Sequence, residues 1–374
     1  MTTRRPAEMV PPGEILKEEL EARGWTQGDL AEIIGRHPNT VNGVIAGKRG
    51  ISPDMARVLA AALGTSAELW LNLDAAYQLF HGRDDRDDDA VSRRAKLYAK
   101  APVKEMVRRG WIEPSPNIAV LEERICQFLE IATIDAEPEA LPHAARKSTA
   151  YHEPPTPSQV AWLYRARQLA RAVSAKPYSA RGLSDLVGRL RLLAHAPQEV
   201  RHVPRLLAEA GIKFVVVQPL PGSKIDGACL WDGETPIIAV SLRFDRLDNF
   251  WFVLFHELDH VRNGVESCDA DIEATGDADR SPAEAAANAF AAETLIPSRQ
   301  IDGFIARVGP LYRADRIEAF AQTMNVHPAV VVGQLQHRGE VAYSNFRKML
   351  APVREAVTAA ALTDGWGVTV PILS

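Results

Sequence analysis

From residue 13 to residue 77 apolar residues recur at helical spacing, with breaks at Gly24, Gly35, Gly47, Gly50 and Gly64. The pattern predicts a series of short amphipathic helices with no strand among them. Between residues 81 and 94 the run HGRDDRDDDAVSRR is charged and poor in apolar positions, as a solvated linker or helix start would be. Helical periodicity returns over 95–200, most clearly in AKLYAKAPVKEMVRRGW, in VLEERICQFLEIA and around 160–173, interrupted by a proline-rich polar segment at 135–158 that reads as loop. The first strands are expected late, at 213–217 and 236–240. Between them lie the glycines and prolines of QPLPGSKIDGACLWDGETP. Helices are expected again at 249–262, 283–294, 316–324 and 328–336, and DGWGVTVPILS at the end reads as a strand or a loose tail.

These elements predict a mainly α protein with a small α+β domain holding a short sheet. Four segments follow: a helical bundle over 1–80, a helical middle region over 81–200, a mixed domain over 201–345, and a C-terminal helix and tail over 346–374. A length of 374 residues suits two or three domains, and 46% hydrophobic with 24% charged residues is ordinary globular composition. No stretch of 18 uncharged apolar residues occurs, and no apolar run follows the arginines near the N-terminus, so a soluble cytoplasmic protein with no membrane partner is expected. Cys126, Cys229 and Cys268 are odd in number and widely spaced, which argues against a disulfide framework.

The segment TQGDLAEIIGRHPNTVNGVIAGKRG reads as helix, glycine-containing turn and helix, with Leu30, Ala31, Ile34, Val41, Val44 and Ile45 as its apolar set. Pro38 suits the first position of the second helix, with His37 as its cap. A recognition helix presents its first turns to the major groove, which here means Asn39, Thr40 and Asn42. Asparagine pairs with adenine and threonine meets a thymine methyl, while Gln27, Lys48 and Arg49 suit phosphates. Gly43 departs from this design, since it has no side chain to read a base. The net charge is −5, and residues 1–80 hold 8 Lys+Arg against 10 Asp+Glu, so any contact with DNA must come from a local patch.

The expected helix at 249–262 carries FHELDH. His256 and His260 are four residues apart and so share one helix face, with Glu257 beside it. Two imidazoles at that spacing hold a zinc ion, and the intervening carboxylate is placed to take a proton from water that attacks a peptide carbonyl. The apolar NFWFVL just upstream places these polar groups on a core helix, where burying them without purpose is costly. Manganese also accepts histidine and carboxylate ligands, although zinc binds such sites more tightly. A third ligand is needed. Asn263 and Glu266 stand where one class of zinc peptidases has Gly and His, so a glutamate from the following helix is favoured. Glu284 is first choice, with Glu266 and Glu293 as rivals. Asn288, one turn after Glu284, shares its face and is suited to orienting a ligand. The strand at 236–240 is expected to offer a sheet edge to an extended substrate. His327, His337, Tyr312 and Tyr343 are candidates by residue type alone for stabilising the tetrahedral intermediate.

Two strands, an HExxH helix and then Glu284, Ala287, Asn288, Phe290, Ala291, Leu295 and Pro297 in the pattern ExxANxFAxxxLxP resemble the ImmA/IrrE family of bacterial metallopeptidases. RIEAFAQTMNVHPAVVVGQLQHRGEV resembles the helices that follow, so the likeness covers about residues 200–345. It implies a zincin-like, zinc-dependent endopeptidase that cleaves a repressor protein. Asp259 departs from the small residue more usual there. PGEILKEELEARGWTQGDLAEIIG, GKRGISPDMA and WLNLDAAY, within about residues 11–80, resemble the HigA-type antitoxin branch of the lambda-repressor-like (XRE) helix-turn-helix family. That likeness implies a homodimer on a palindromic double-stranded operator. The combined expectation is a DNA-binding transcriptional regulator with its own zinc endopeptidase domain, acting on a repressor, toxin or other partner in a stress or toxin-antitoxin response. The alternative is an antitoxin-like repressor whose zinc domain senses or binds without turnover.

Overall fold

A computed structural model of the chain describes residues 9–81, 85–138, 155–270 and 281–370. It divides into two compact units, residues 1–93 and 94–374. The segment read as a helical middle region therefore belongs, from Arg94 onward, with the C-terminal unit. Of the loop expected at 135–158, residues 139–154 lie outside the described residues, as do 371–374 of the tail.

The first unit is a bundle of α1 (Pro12–Arg23), α2 (Gln27–Ile33), α3 (Pro38–Ile45), α4 (Pro53–Leu63) and α5 (Ala67–His81). Local signals set its boundaries. Thr26 and Asp29 form a reciprocal capping box at the start of α2, with Asp29 N–H donating to Thr26 Oγ1 at 3.1 Å and Thr26 N–H to Asp29 Oδ2 at 2.7 Å. Pro38 opens α3, and His37 Nδ1 accepts the Asn39 N–H at 3.2 Å. The core joins Leu16 and Leu20 of α1, Leu30 and Ala31 of α2, Val41 and Val44 of α3, Leu59 of α4 and Trp70 of α5. Ile34 and Ile45, expected with them, are only partly buried. At Gly13 a Cβ would lie 2.4 Å from the Ile45 carbonyl oxygen, so α1 crosses the end of α3 at backbone contact.

The second unit contains α6 (Asp85–Lys100, which begins before the boundary), α7 (Val103–Arg108), α8 (Ile118–Phe128), α9 (Pro157–Arg171), α10 (Leu183–Leu192) and α11 (Val203–Glu209). After them come β1 (Lys213–Val217), β2 (Ile225–Asp232), β3 (Thr235–Val240), α12 (Leu247–Asn263) and β4 (Ser267–Ala270). The remaining elements are α13 (Pro282–Leu295), α14 (Ser298–Val308), α15 (Ala314–Met324), α16 (Pro328–His337), the short α17 (Arg354–Thr358) and β5 (Leu362–Asp364). The sheet order is β4-β2-β3-β1-β5; β1 runs parallel to β3 and β5, and β2 antiparallel to β3 and β4. Side chains alternate between two cores. Phe214, Val216, Cys229, Ile238 and Val240 face the layer built on α12, whereas Val215, Val217, Ala228, Leu230, Ile237 and Ala239 face α9 and the helices before it. Burial on both faces explains why residues 214–217 of β1 and 236–240 of β3 are apolar without a break.

Two expectations are corrected. The glycine-rich stretch between the expected strands is itself largely strand: β2 pairs with β3 through the two-residue turn Gly233–Glu234, with Gly233 at φ +61°. As a result β3 lies between β2 and β1 and offers no free edge to a substrate; the sheet ends at β4 and β5. Among the described residues of the C-terminal stretch only Asp364 is strand, as the last residue of β5, parallel to β1, and Gly365 and Val368 form an isolated bridge beyond it. Asp364 is buried with Arg165 of α9: Arg165 Nε donates to Asp364 Oδ2 at 3.0 Å, and Trp111 Nε1 donates to Oδ1 at 2.8 Å.

Candidate metal centre

Helix α12 is buried along nearly its whole length, from Leu247 to Val261, and stops at Gly264 in the left-handed region. Its apolar residues pack under the sheet, which carries His256 and His260 into the interior at 0% and 1% exposure. Helix α13 packs against it. Ser281 caps α13, its Oγ accepting the Glu284 N–H at 3.2 Å, and Pro282 sets the first turn. This start fixes Glu284 in the first turn of α13, facing the histidines.

The donor atoms converge. His256 Nε2 lies 3.1 Å from His260 Nε2 and 3.2 Å from Glu284 Oε2, and His260 Nε2 lies 3.5 Å from Glu284 Oε1. Ligands about 2.05 Å from a tetrahedral zinc ion stand about 3.3 Å apart, so this triangle fits three corners of one coordination shell. Two ring nitrogens facing each other at 3.1 Å are also poor neighbours unless a proton or a cation lies between their lone pairs. Among the described residues, His256, His260 and Glu284 form the group of donors suited to a metal ion. The Glu284 side chain keeps 31% of its exposure, which leaves one side of the group open for a water or a substrate atom.

Asn288, one turn along α13 from Glu284, has its Oδ1 2.9 Å from His256 Nδ1. Because that oxygen can only accept, it holds the proton on Nδ1 and leaves the Nε2 lone pair for the metal. Glu257 is fully buried on the flank of the same helix, against β2. A Cβ at Gly227 of β2 would come within 2.4 Å of Glu257 Oε1 and 2.7 Å of Val253 Cγ1. Gly227 thus makes the space the carboxylate occupies, a role not read from the sequence; a glycine inside a strand is the signal of such close approach.

The rival ligands have other partners. Glu266 Oε1 accepts the Trp231 N–H at 3.1 Å, and Glu293 Oε2 accepts the Ser298 N–H at 2.8 Å. Asp259 is buried and turns along its own helix, where Asn263 Nδ2 donates to Oδ2 at 3.0 Å and Arg262 lies 2.5 Å from Oδ1. Two of the residues suggested by type serve the scaffold: His327 Nδ1 caps α16 by accepting the Ala329 N–H at 3.1 Å, and Tyr312 donates to Glu340 at 2.6 Å. His337 stands on α16, its ring 6.2 Å from that of Phe252, which is in turn 6.4 Å from the His256 ring. Tyr343 is half exposed.

In the first unit Asn39, Asn42, Lys48 and Arg49 are exposed, and Gln27 and Thr40 are half-buried. Asn42 Nδ2 donates to Gln27 Oε1 at 3.2 Å, which ties the start of α2 to α3. Gly43 lies beneath Arg49, whose Cβ would be 3.4 Å from an added Cβ, and both Lys48 and Arg49 donate their N–H groups to the Gly43 carbonyl. The following basic loop folds back onto α3 through these bonds, and an alanine at 43 would meet Arg49 at ordinary contact distance.

Residues 16–70 match the helix-turn-helix family, and antitoxin HigA-1 of Vibrio cholerae is 44% identical over 90 residues, which are 24% of this chain and 82% of that protein. The chain belongs to the HigA-like helix-turn-helix family. The uncharacterized HTH-type transcriptional regulator YddM of Escherichia coli is 31% identical over 89 residues, 24% of this chain and 92% of that one. The solved structure of Pseudomonas aeruginosa antitoxin HigA with higBA promoter is 34% identical, covering 22% of this chain and 90% of that chain at a TM-score of 0.21. Residues 209–331 match the IrrE N-terminal-like domain of the M78 peptidases, so this HigA-like chain carries a peptidase-family domain in its second unit. No helix among the described residues is long and apolar enough to cross a membrane.

Proposed function

We propose that this chain is a DNA-binding transcriptional regulator whose second unit is a zinc-dependent endopeptidase acting on a repressor, toxin or other partner protein. The observation that carries the reading is the triangle of His256, His260 and Glu284 donors, with Glu257 on the adjoining flank. A zinc ion bound there supplies Lewis acidity, acidifying water and polarising a peptide carbonyl; manganese offers the same at lower affinity. Glu257 takes the proton of the attacking water, holds it on its carboxylate, and gives it to the amine nitrogen as the C–N bond breaks. Asn288 keeps His256 in the tautomer that leaves Nε2 as a ligand. The buried floor of α12 and β2 shields the carboxylate from bulk solvent.

On the first unit, Asn39, Thr40 and Asn42 meet base edges, and Gln27, Lys48 and Arg49 meet phosphates. Two copies on a palindromic operator suit this family's architecture, with one recognition helix in each half-site. The test pairs wild type with Glu257→Gln. Incubation with candidate partner proteins from the same operon is expected to give cleavage by wild type only, with one metal per chain in both. Equal cleavage by the variant, or none by metal-loaded wild type, contradicts the peptidase reading and leaves a regulator whose metal domain binds without turnover. Binding to its own promoter fragment is expected to weaken steeply with salt and to be lost in Asn42→Ala.

A further inference from the structure

Strand β2 reaches Glu257 by way of an irregularity. Ile225 is paired with Ala270 of β4 and Gly227 with Asp269, so two steps along β2 meet one along β4, and Asp226 is the extra residue of a bulge. The bulge decides which face Gly227 takes. Ile225, Ala228 and Leu230 lie in the core against α9, and Cys229 lies in the core built on α12. In a regular strand Ile225 and Gly227 would share a face. With the extra residue, Gly227 is turned to α12 instead, where its missing side chain leaves the room that Glu257 fills. A regular strand that kept Ile225 in place would present Asp226, and not the glycine, to α12.

The bulge is held from the turn that follows β3. Arg243 Nε and Nη2 donate to Asp226 Oδ1 and Oδ2 at 2.9 and 3.0 Å, and the carboxylate is 1% exposed. A fork that binds both oxygens fixes orientation as well as position. The Ser241 N–H donates to the Asp226 carbonyl at 3.0 Å, and Ser241 Oγ donates to the Ile225 carbonyl at 2.6 Å. The Arg243 N–H in turn donates to Ser241 Oγ at 3.1 Å. Leu242, between them, stands at φ +47°, a backbone state that leucine keeps only where its surroundings impose it. The Arg243 guanidinium lies 4.4 Å from the centre of the Phe244 ring. Four residues after Arg243, Leu247 opens α12, so the turn that pins the bulge also leads into the helix that carries Glu257.

We propose that Asp226 and Arg243 are positioning residues for peptide hydrolysis: their ion pair holds the bulge that turns Gly227 to α12, and so sets the place of the Glu257 carboxylate. This rests on the peptidase reading above. The signature of such a role is slower turnover with substrate and metal binding kept.

Two variants of the full chain, loaded with zinc, test it. Asp226→Asn keeps the shape and removes the charge, whereas Arg243→Lys keeps the charge, removes the fork and is the milder change should the first fail to fold. The first measurement needs no turnover. In methyl-labelled protein, the nuclear Overhauser effect between the Gly227 Hα protons and a Val253 methyl is expected in wild type and lost in the variants, with cooperative unfolding and about one zinc per chain retained. An effect kept at full strength in Arg243→Lys, or absent from wild type, overturns the proposal. In the second, kcat and KM are measured on a cleaved library peptide. A fall in kcat of about 10–100-fold with KM within about twofold is expected in the variants. A fall in kcat of less than about threefold, or a rise in KM with kcat kept, overturns it. Absence of any cleavage by wild type counts against the peptidase reading, and the Overhauser effect still decides whether the ion pair places Gly227.

Discussion

Replacing Gly227 by alanine separates the proton-transfer group from the metal ligands. An added Cβ would stand 2.4 Å from Glu257 Oε1, 2.7 Å from Val253 Cγ1 and 3.1 Å from Glu257 Cδ, where ordinary contact begins at 3.4 Å. The strand cannot retreat easily, because Gly227 is paired with Val240 of β3 on one side and Asp269 of β4 on the other. The carboxylate must give way by 3.4 − 2.4 = 1.0 Å. A misplacement of about 1 Å at a reacting group costs about 100-fold in rate, and overpacking costs about 1–3 kcal/mol of stability. His256, His260 and Glu284 are not in that contact, so the metal is expected to stay. The assay is kcat/KM on a cleaved partner or library peptide, with metal content and thermal unfolding measured on the same sample. A fall of about 100-fold with one metal per chain retained is expected. Activity within about threefold of wild type would refute the placing of Glu257 against β2 as the source of its function.

Three further outcomes are expected. Asn288→Ala removes the acceptor that fixes the His256 tautomer and should weaken metal affinity about 10–100-fold in a chelator competition, with Asn288→Asp restoring most of it. Asp364→Ala leaves Arg165 buried without its carboxylate and should cost about 3–5 kcal/mol in chemical denaturation, whereas an unchanged midpoint would count against the buried pair. Burial holds the His327 imidazole below its usual 6.5, with Asp248 opposing more weakly, so the neutral ring that caps α16 contributes stability fully above pH 6.5. That contribution is lost as pH falls below 6.5 and through the folded-state value. His327→Asn, a cap that does not titrate, should flatten the pH dependence of unfolding in that range, and an unaltered profile would contradict the assignment.

The sequence exposed most of the centre because its signals are local. HExxH is a helix-period motif, and Ser281-Pro282 marks the start of α13 three residues before Glu284. His37 and Pro38 likewise announced the start of α3. What stayed hidden depends on partners distant in the chain. Asp226 and Gly227 made β2 look like a loop, yet Asp226 is a buried partner of Arg243, at 2.9 and 3.0 Å, and Gly227 yields to Glu257. With β2 unseen, β3 looked like an edge. Arg165 and Asp364 are 199 residues apart, and neither neighbourhood hints at the other. The periodicity of α9 shows a face to be buried, but only the fold reveals that Trp162, Leu163 and Ala166 join the core beneath the sheet.

Metal content by elemental analysis, on untagged wild type and on His260→Ala, Glu284→Ala and Glu266→Ala, tests the central claim most directly. The account predicts about one zinc per chain in wild type and in Glu266→Ala, and its loss in the other two. Wild type that takes up no metal when zinc is supplied, or Glu284→Ala that keeps a full equivalent while Glu266→Ala loses it, would contradict the account.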